Sequence, residues 1–247
     1  MTTAAFYAAV RPLFGGTLSQ SQVDGLNVIL EATHGLPISH RAYLLATTHH
    51  ETGRTMQPVR ETFAKTDDDA IRILESAFAK GQLKWVKTPY WRKDADGKSW
   101  LGRGYVQLTH KVNYEKASML TGVDLVANPN AAMRPVVAAK ILVEGSQMGM
   151  FTGKKLSDYL PGDYVNARRI INGVESAQTV AKIAQGYEAA LRHIPIGAPT
   201  PPAAPPSIPV TDATPASPAA APAASPTIVI LILGAIGAIA AVLSKGF

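Results

Sequence analysis

The chain has 247 residues, no cysteine and a formal net charge of +6. The first two leave room for one or two ordinary domains but exclude a disulfide-stapled fold and a thiolate metal site. The charge favours anionic partners through a general attraction that salt screens. Residues 1–194 hold 23 of the 24 Lys and Arg and 17 of the 18 Asp and Glu, so this part alone carries the whole +6. Its basic residues, from Arg41 and Arg54 through Lys84 and Arg92 to Arg168 and Arg169, are scattered and form no helix stripe or DNA-reading motif, so no nucleic-acid partner is expected. Arg11 and Pro12 interrupt the short apolar run at the start, and no signal peptide is expected there.

Ser19 and Gln22 form a capping-box pattern ahead of Val23, Leu26 and Leu30, which predicts an amphipathic helix. Ser39 precedes a second, through Leu44, Leu45 and Thr48, that should run out near Gly53. Asp67 to Asp69 acidify the start of a third, carrying Ile71, Leu74 and Phe78 and stopped by Gly81. Trp100 to Leu108 reads as a short hairpin or extended segment between two long loops, from Lys84 to Gly102 and from Thr121 to Arg134. Pro135 suits the first turn of a helix through Val136, Ile141 and Leu142, and Val180, Ile183, Ala184, Tyr187 and Leu191 make the cleanest helical stripe. With strand-like alternation nearly absent, the expectation is a mainly α domain over residues 1–194.

Composition changes sharply at Pro195. Of residues 195–226, 11 of 32 are proline and most of the rest are Ala, Ser and Thr, which predicts a flexible linker that buries little. Thr227 to Ser244 then gives 18 uncharged residues, near the lower limit for a transmembrane helix. This predicts membrane anchoring through the C-terminus, in a bacterial host or virion membrane. Gly234 with Ala238 and Gly237 with Ala241 repeat a small-xxx-small spacing compatible with weak self-association.

The chemistry-bearing residues cluster in two places. Glu51, in His50-Glu51-Thr52-Gly53, falls at a helix end, where the last carbonyls disfavour another anion and should raise a carboxyl pKa, as a proton donor requires. Glu61 follows Arg60, a cation expected to favour its ionised form. Such a divided pair is what glycoside hydrolysis needs: one carboxyl protonates the leaving oxygen while the other activates water. The tandem His49-His50 lacks the second histidine of a zinc-peptidase motif, since Arg54 stands four residues after His50, and no metal is expected. Gly102-x-Gly104 has Gln107 where a dinucleotide loop needs glycine; Gln107, Thr109 and Asn113 instead offer amides and a hydroxyl suited to sugar hydroxyls and N-acetyl groups. Trp85, Tyr90, Trp91, Trp100 and Tyr105 are available to stack on pyranose faces or to fill the core.

His50 to Gly53, the run from Gly102 to Tyr114, and Arg169-Ile170-Ile171-Asn172-Gly173 occur in the order seen in family-19 glycoside hydrolases, and residues 15–192 resemble that family. The opening Leu18 to Leu26 is similar to its bacteriophage endolysin branch rather than to the plant chitinases. The resemblance implies a lysozyme-like helical fold and an inverting mechanism without a covalent sugar intermediate or any cofactor. Glu51 would be the general acid, Glu61 the base or its partner and Thr109 a holder of the attacking water. Gln107, Asn113 and Asn172 would line the cleft, joined by His50, Arg60 and Tyr105 as further substrate-binding residues. Plant chitinases carry the base further from the acid, where this chain has Ile73, so Glu61 is preferred, with Glu75 and Asp67 to Asp69 as alternatives. The family's last-helix arginine has Arg168, Arg169 and Arg192 as candidates. The expected activity is that of a phage-type peptidoglycan hydrolase; a chitinase, or an idle wall-binding protein held in a membrane, are the alternatives.

Overall fold

The structure, a computed structural model, describes residues 3–194. The linker at 195–226 and the apolar segment at 227–244 lie outside the described residues; among those described, no helix is long and apolar enough to cross a membrane.

The mainly helical expectation holds. Eight helices follow one another among the described residues: α1 (Thr3–Val10), α2 (Gln20–Ala32), α3 (Ile38–Glu51), α4 (Asp67–Ala79), α5 (Lys111–Thr121), α6 (Pro135–Met148), α7 (Tyr164–Ala167) and α8 (Ala177–Leu191). Local signals set several of the ends. The Ser19 hydroxyl accepts from the Gln22 amide at 3.2 Å while the Gln22 side chain accepts from Ser19 N at 2.8 Å, a complete capping box. Thr66 caps α4 by accepting from Asp69 N at 3.1 Å, ahead of the three aspartates that complement the helix dipole. Pro135 occupies the first turn of α6, where its missing N–H costs nothing.

The main core forms where α3 packs along α8, with α1 and α7 also against α8, and α2 and α5 against α6. The α8 stripe supplies Val180, Ala184, Tyr187 and Leu191, all buried, with Ile183 at the margin. Each large aliphatic side chain so buried contributes roughly 1.5–3 kcal/mol. A smaller core of Ala70, Leu74, Ala77, Leu83, Trp91 and Leu101 sits under α4 and the loop after it.

Two short strands, β1 (Val59–Arg60) and β2 (Arg103–Gly104), pair antiparallel with Val59 opposite Gly104, and Arg103 bridges back to Leu108. The extended segment expected between Trp100 and Leu108 therefore exists, and its partner is the stretch just before Glu61. The turn after α3 is clamped onto α2: Gln22 Nε2 donates to the Arg54 carbonyl at 2.9 Å and Gln57 Nε2 to the Ser21 carbonyl at 2.6 Å. Gly25 makes that approach possible, because a Cβ there would fall 1.9 Å from the Met56 carbonyl oxygen.

Candidate active site

Tyr43, Thr47 and Glu51 recur every fourth residue and share one face of α3. The Tyr43 hydroxyl donates to the Ala167 carbonyl at 2.6 Å, which brings the end of α7 beside this face. The next residue, Arg168, donates from Nη1 to Glu51 Oε1 at 2.5 Å and from Nε to the Glu175 carbonyl at 3.1 Å. Both members of this ion pair are sealed, with side-chain exposures of 2% for Arg168 and 1% for Glu51. Burial raises the Glu51 carboxyl above its ordinary range, and the Arg168 guanidinium opposes that rise without cancelling it. The carboxyl is elevated as expected, but the causes are burial and the Glu175 charge rather than the helix end.

The neighbouring histidines part company. His49 points the other way, onto α8, where Nδ1 lies 3.0 Å from the Tyr187 hydroxyl and burial pushes the imidazole down to about 4. His50 is half-buried, and burial and the Arg168 charge hold it below its usual value. Among the described residues no group of three or more His, Cys, Asp or Glu is placed to hold a metal ion.

Glu61 follows β1 in a 3-10 turn and is 1% exposed. Its backbone N–H donates to the Gly102 carbonyl and its Oε2 accepts the Gly102 N–H, both at 2.8 Å; Oε1 accepts the Tyr90 hydroxyl at 2.5 Å. The expectation that Arg60 keeps Glu61 ionised is corrected here. Arg60 turns away to Asp67 Oδ1 at 2.7 Å, the Lys65 carbonyl at 2.9 Å and Asn130 Oδ1 at 3.2 Å. Burial raises the Glu61 carboxyl, and Tyr90, Gly102 and the nearby Arg103 offset this only in part. The strand geometry explains the miss, since consecutive side chains of an extended segment leave on opposite faces.

The alternative bases are already engaged. Asp67 also binds Arg103 Nη2 at 2.5 Å; burial works to raise its carboxyl, but the two guanidiniums outweigh it and hold Asp67 below the usual range. Glu75 pairs with Arg92 at 2.8 Å and accepts the Trp91 indole N–H at 2.6 Å.

Gly102 is the hub of the second half of the site. A Cβ there would lie 2.8 Å from Gln107 Oε1 and 3.3 Å from Thr109 Cγ2, so glycine lets these side chains close over the strand that anchors Glu61. Gln107 Nε2 donates to the Val59 carbonyl at 2.9 Å, tying the hairpin, while Gln107 Oε1 and Thr109 Oγ1 are buried with no protein partner. Asn113 sits in the first turn of α5 and donates to the Thr109 carbonyl at 2.8 Å, fixing that segment. The two halves meet where the Phe63 ring packs over Gly53, a Cβ on which would lie 3.5 Å from the ring.

The expectation that Tyr105 binds substrate is corrected, because its ring is packed in the main core and is not available to stack on a sugar. Trp91 and Trp100 are likewise buried, whereas Trp85 is 48% exposed. Asn172 is 7% exposed and its Oδ1 accepts the Gly173 N–H at 2.8 Å. Arg168, one of three arginine candidates, and Tyr90, one of the aromatics available for stacking, meet carboxylates 117 and 29 residues away in sequence.

A mainly helical domain with two enclosed, elevated carboxyls and uncommitted amide and hydroxyl oxygens beside one of them is the class defined so far. Residues 41–144, which contain Glu51, Glu61 and Thr109, match the family of glycoside hydrolase 19, described as chitinase class I. Chitinase 11 of Oryza sativa subsp. japonica is 35% identical over 98 residues, covering 33% of this chain and 38% of the relative. The chain thus spans well under half of that relative's length. The crystal structure of chitinase C from Streptomyces griseus is similar at 21% identity, with 79% of this chain and 77% of that chain covered and a TM-score of 0.46. The likeness to family 19 of the glycoside hydrolases thus lies in residues 41–144.

Proposed function

We propose that this protein hydrolyses the glycosidic bonds of an N-acetylated glycan, with Glu51 as general acid, Glu61 as general base and water as nucleophile. Burial raises both carboxyls, and the observation that carries the reading is what surrounds each of them. Glu51 is a carboxyl that burial holds toward its neutral, proton-donating form. Beside the Glu61 anchor lie two buried oxygens, Gln107 Oε1 and Thr109 Oγ1, without protein partners. Buried polar atoms of this kind call for water or ligand, and a water seated by Thr109 beside Glu61 is what an inverting mechanism uses. Asn113, Asn172 and half-buried His50 supply further polar groups for the sugar.

Peptidoglycan is the preferred substrate, as for a phage-type endolysin, because the +6 charge suits an anionic envelope; the names of the relatives favour chitin. Purified protein incubated with isolated peptidoglycan and with chitin oligomers is expected to release reducing ends from peptidoglycan. Release from chitin alone would reverse the choice, and release from neither would remove the activity.

The sequence of residues 227–244 supports a membrane tether for this domain. Full-length protein is expected to stay with membranes through carbonate extraction, and its complete release would exclude a stable span.

A further inference from the structure

Glu61 is held by two donors of different kinds. The Gly102 N–H belongs to the backbone and takes Oε2; the Tyr90 hydroxyl takes Oε1 at 2.5 Å from the long loop between α4 and β2. With one donor on each oxygen, the carboxyl plane is fixed, and each oxygen retains a lone pair for another proton donor.

Tyr90 is itself held. Its ring lies tilted against His110 with centroids 4.5 Å apart and meets the Trp91 ring edge-on at 5.1 Å. Trp91 is fully buried in the small core and bonded to Glu75, and the Tyr90 carbonyl accepts the Trp100 N–H at 3.3 Å. The phenol therefore reaches Glu61 from a braced ring. Burial and the Glu61 charge push its own ionisation upward, so it remains a donor.

The other charged or titratable groups around Glu61 are accounted for. Arg103, from β2, is bonded to Asp67 of α4 and to the Tyr114 hydroxyl of α5, and Arg60 is bonded to Asp67 as well. His110 faces the Tyr90 ring and is held below its usual value by burial. Tyr90 is thus the side chain that donates directly to the Glu61 carboxyl.

We propose that Tyr90 is the positioning residue for Glu61: its hydroxyl orients the carboxylate and favours its charged form, which sets the pH at which the base becomes competent. The proposal rests on Glu61 being the base. A hydrogen bond to the charged form lowers a carboxyl pKa, so its loss must raise that pKa.

Tyr90→Phe keeps the ring against His110 and Trp91 and removes only the hydroxyl. In full-length protein carrying carboxyl-13C glutamate, the Glu61 resonance is identified by its loss in Glu61→Gln and followed against pH. In Tyr90→Phe the Glu61 titration is expected to move to higher pH by about one unit, and the acidic limb of kcat to move with it. On that limb, kcat should fall roughly tenfold with KM little changed, a tenfold factor being one pKa unit. A purely structural role would lower stability without moving the titration. An unmoved titration, with Glu61→Gln inactive, would sink the Tyr90 assignment alone; full turnover by Glu61→Gln would sink the base assignment on which it rests.

Discussion

Glu51→Gln is expected to lower kcat about 10²–10⁴-fold, the usual value of a positioned general acid, with KM changed much less. The amide keeps the shape of the side chain and can still accept the Arg168 hydrogen bond, so what is lost is the proton. Wild-type activity should follow a bell in pH. Glu61 must be deprotonated and Glu51 protonated, and burial raises both above the ordinary carboxylate range, near 4.3 for glutamate. Both limbs should therefore lie on the alkaline side of where free carboxylates would put them. In Glu51→Gln the alkaline limb should disappear from the residual activity. Initial rates across pH on the responsive glycan are the check, and near-normal turnover by the variant would remove Glu51 from its role.

Arg168→Met is expected to be the most damaging single change to stability, about 3–5 kcal/mol at neutral pH, because breaking a buried ion pair leaves an uncompensated charge. Arg168 and Glu51 are both sealed, and the substitution also removes the bond to the Glu175 carbonyl that holds the turn before α8. The sign of the pH dependence follows from linkage. Without the guanidinium, burial and the Glu175 charge act on Glu51 unopposed and its folded pKa rises further. A carboxyl with a raised folded pKa favours the fold below its unfolded value and loses that contribution as pH climbs through the folded one. The deficit of Arg168→Met should therefore shrink in acid, where Glu51 is neutral, and grow toward neutrality. Urea unfolding at several pH values measures this. The double variant Glu51→Leu, Arg168→Met should lose less than the single one, since removing both partners leaves no stranded charge.

Much of the helical frame was legible because its signals are local. The Ser19 and Gln22 box, the aspartates before α4, Pro135 and the α8 stripe each act within a turn or two, and each marks the element it announced. Helix α5 was not foreseen, for a visible reason. Its buried face of Asn113, Tyr114, Ala117 and Thr121 is half polar, while Val112 and Met119 face solvent, so its apolar periodicity is blurred. Helix α1 is short and alanine-rich, with Phe6 and Val10 doing its packing. The carboxyls themselves stood out in sequence, but their partners did not. Adjacency suggested Arg60 for Glu61, yet strand alternation sends Arg60 to Asp67 and the carboxyl to Tyr90 and Gly102. Arg168 reaches Glu51 only because α7 docks on α3 through Tyr43, a relation that no local pattern encodes.

The counter-ion of Glu51 and the helix that braces α3 both lie beyond residue 144, where the family match ends. A fragment trimmed to that match would keep every acidic group of the proposed reaction and strand one of them without its cation, against a helix stripped of its principal neighbour. For the proposed reaction, the smallest autonomous piece is expected to extend through Leu191, and the last quarter of the described residues is machinery rather than appendage.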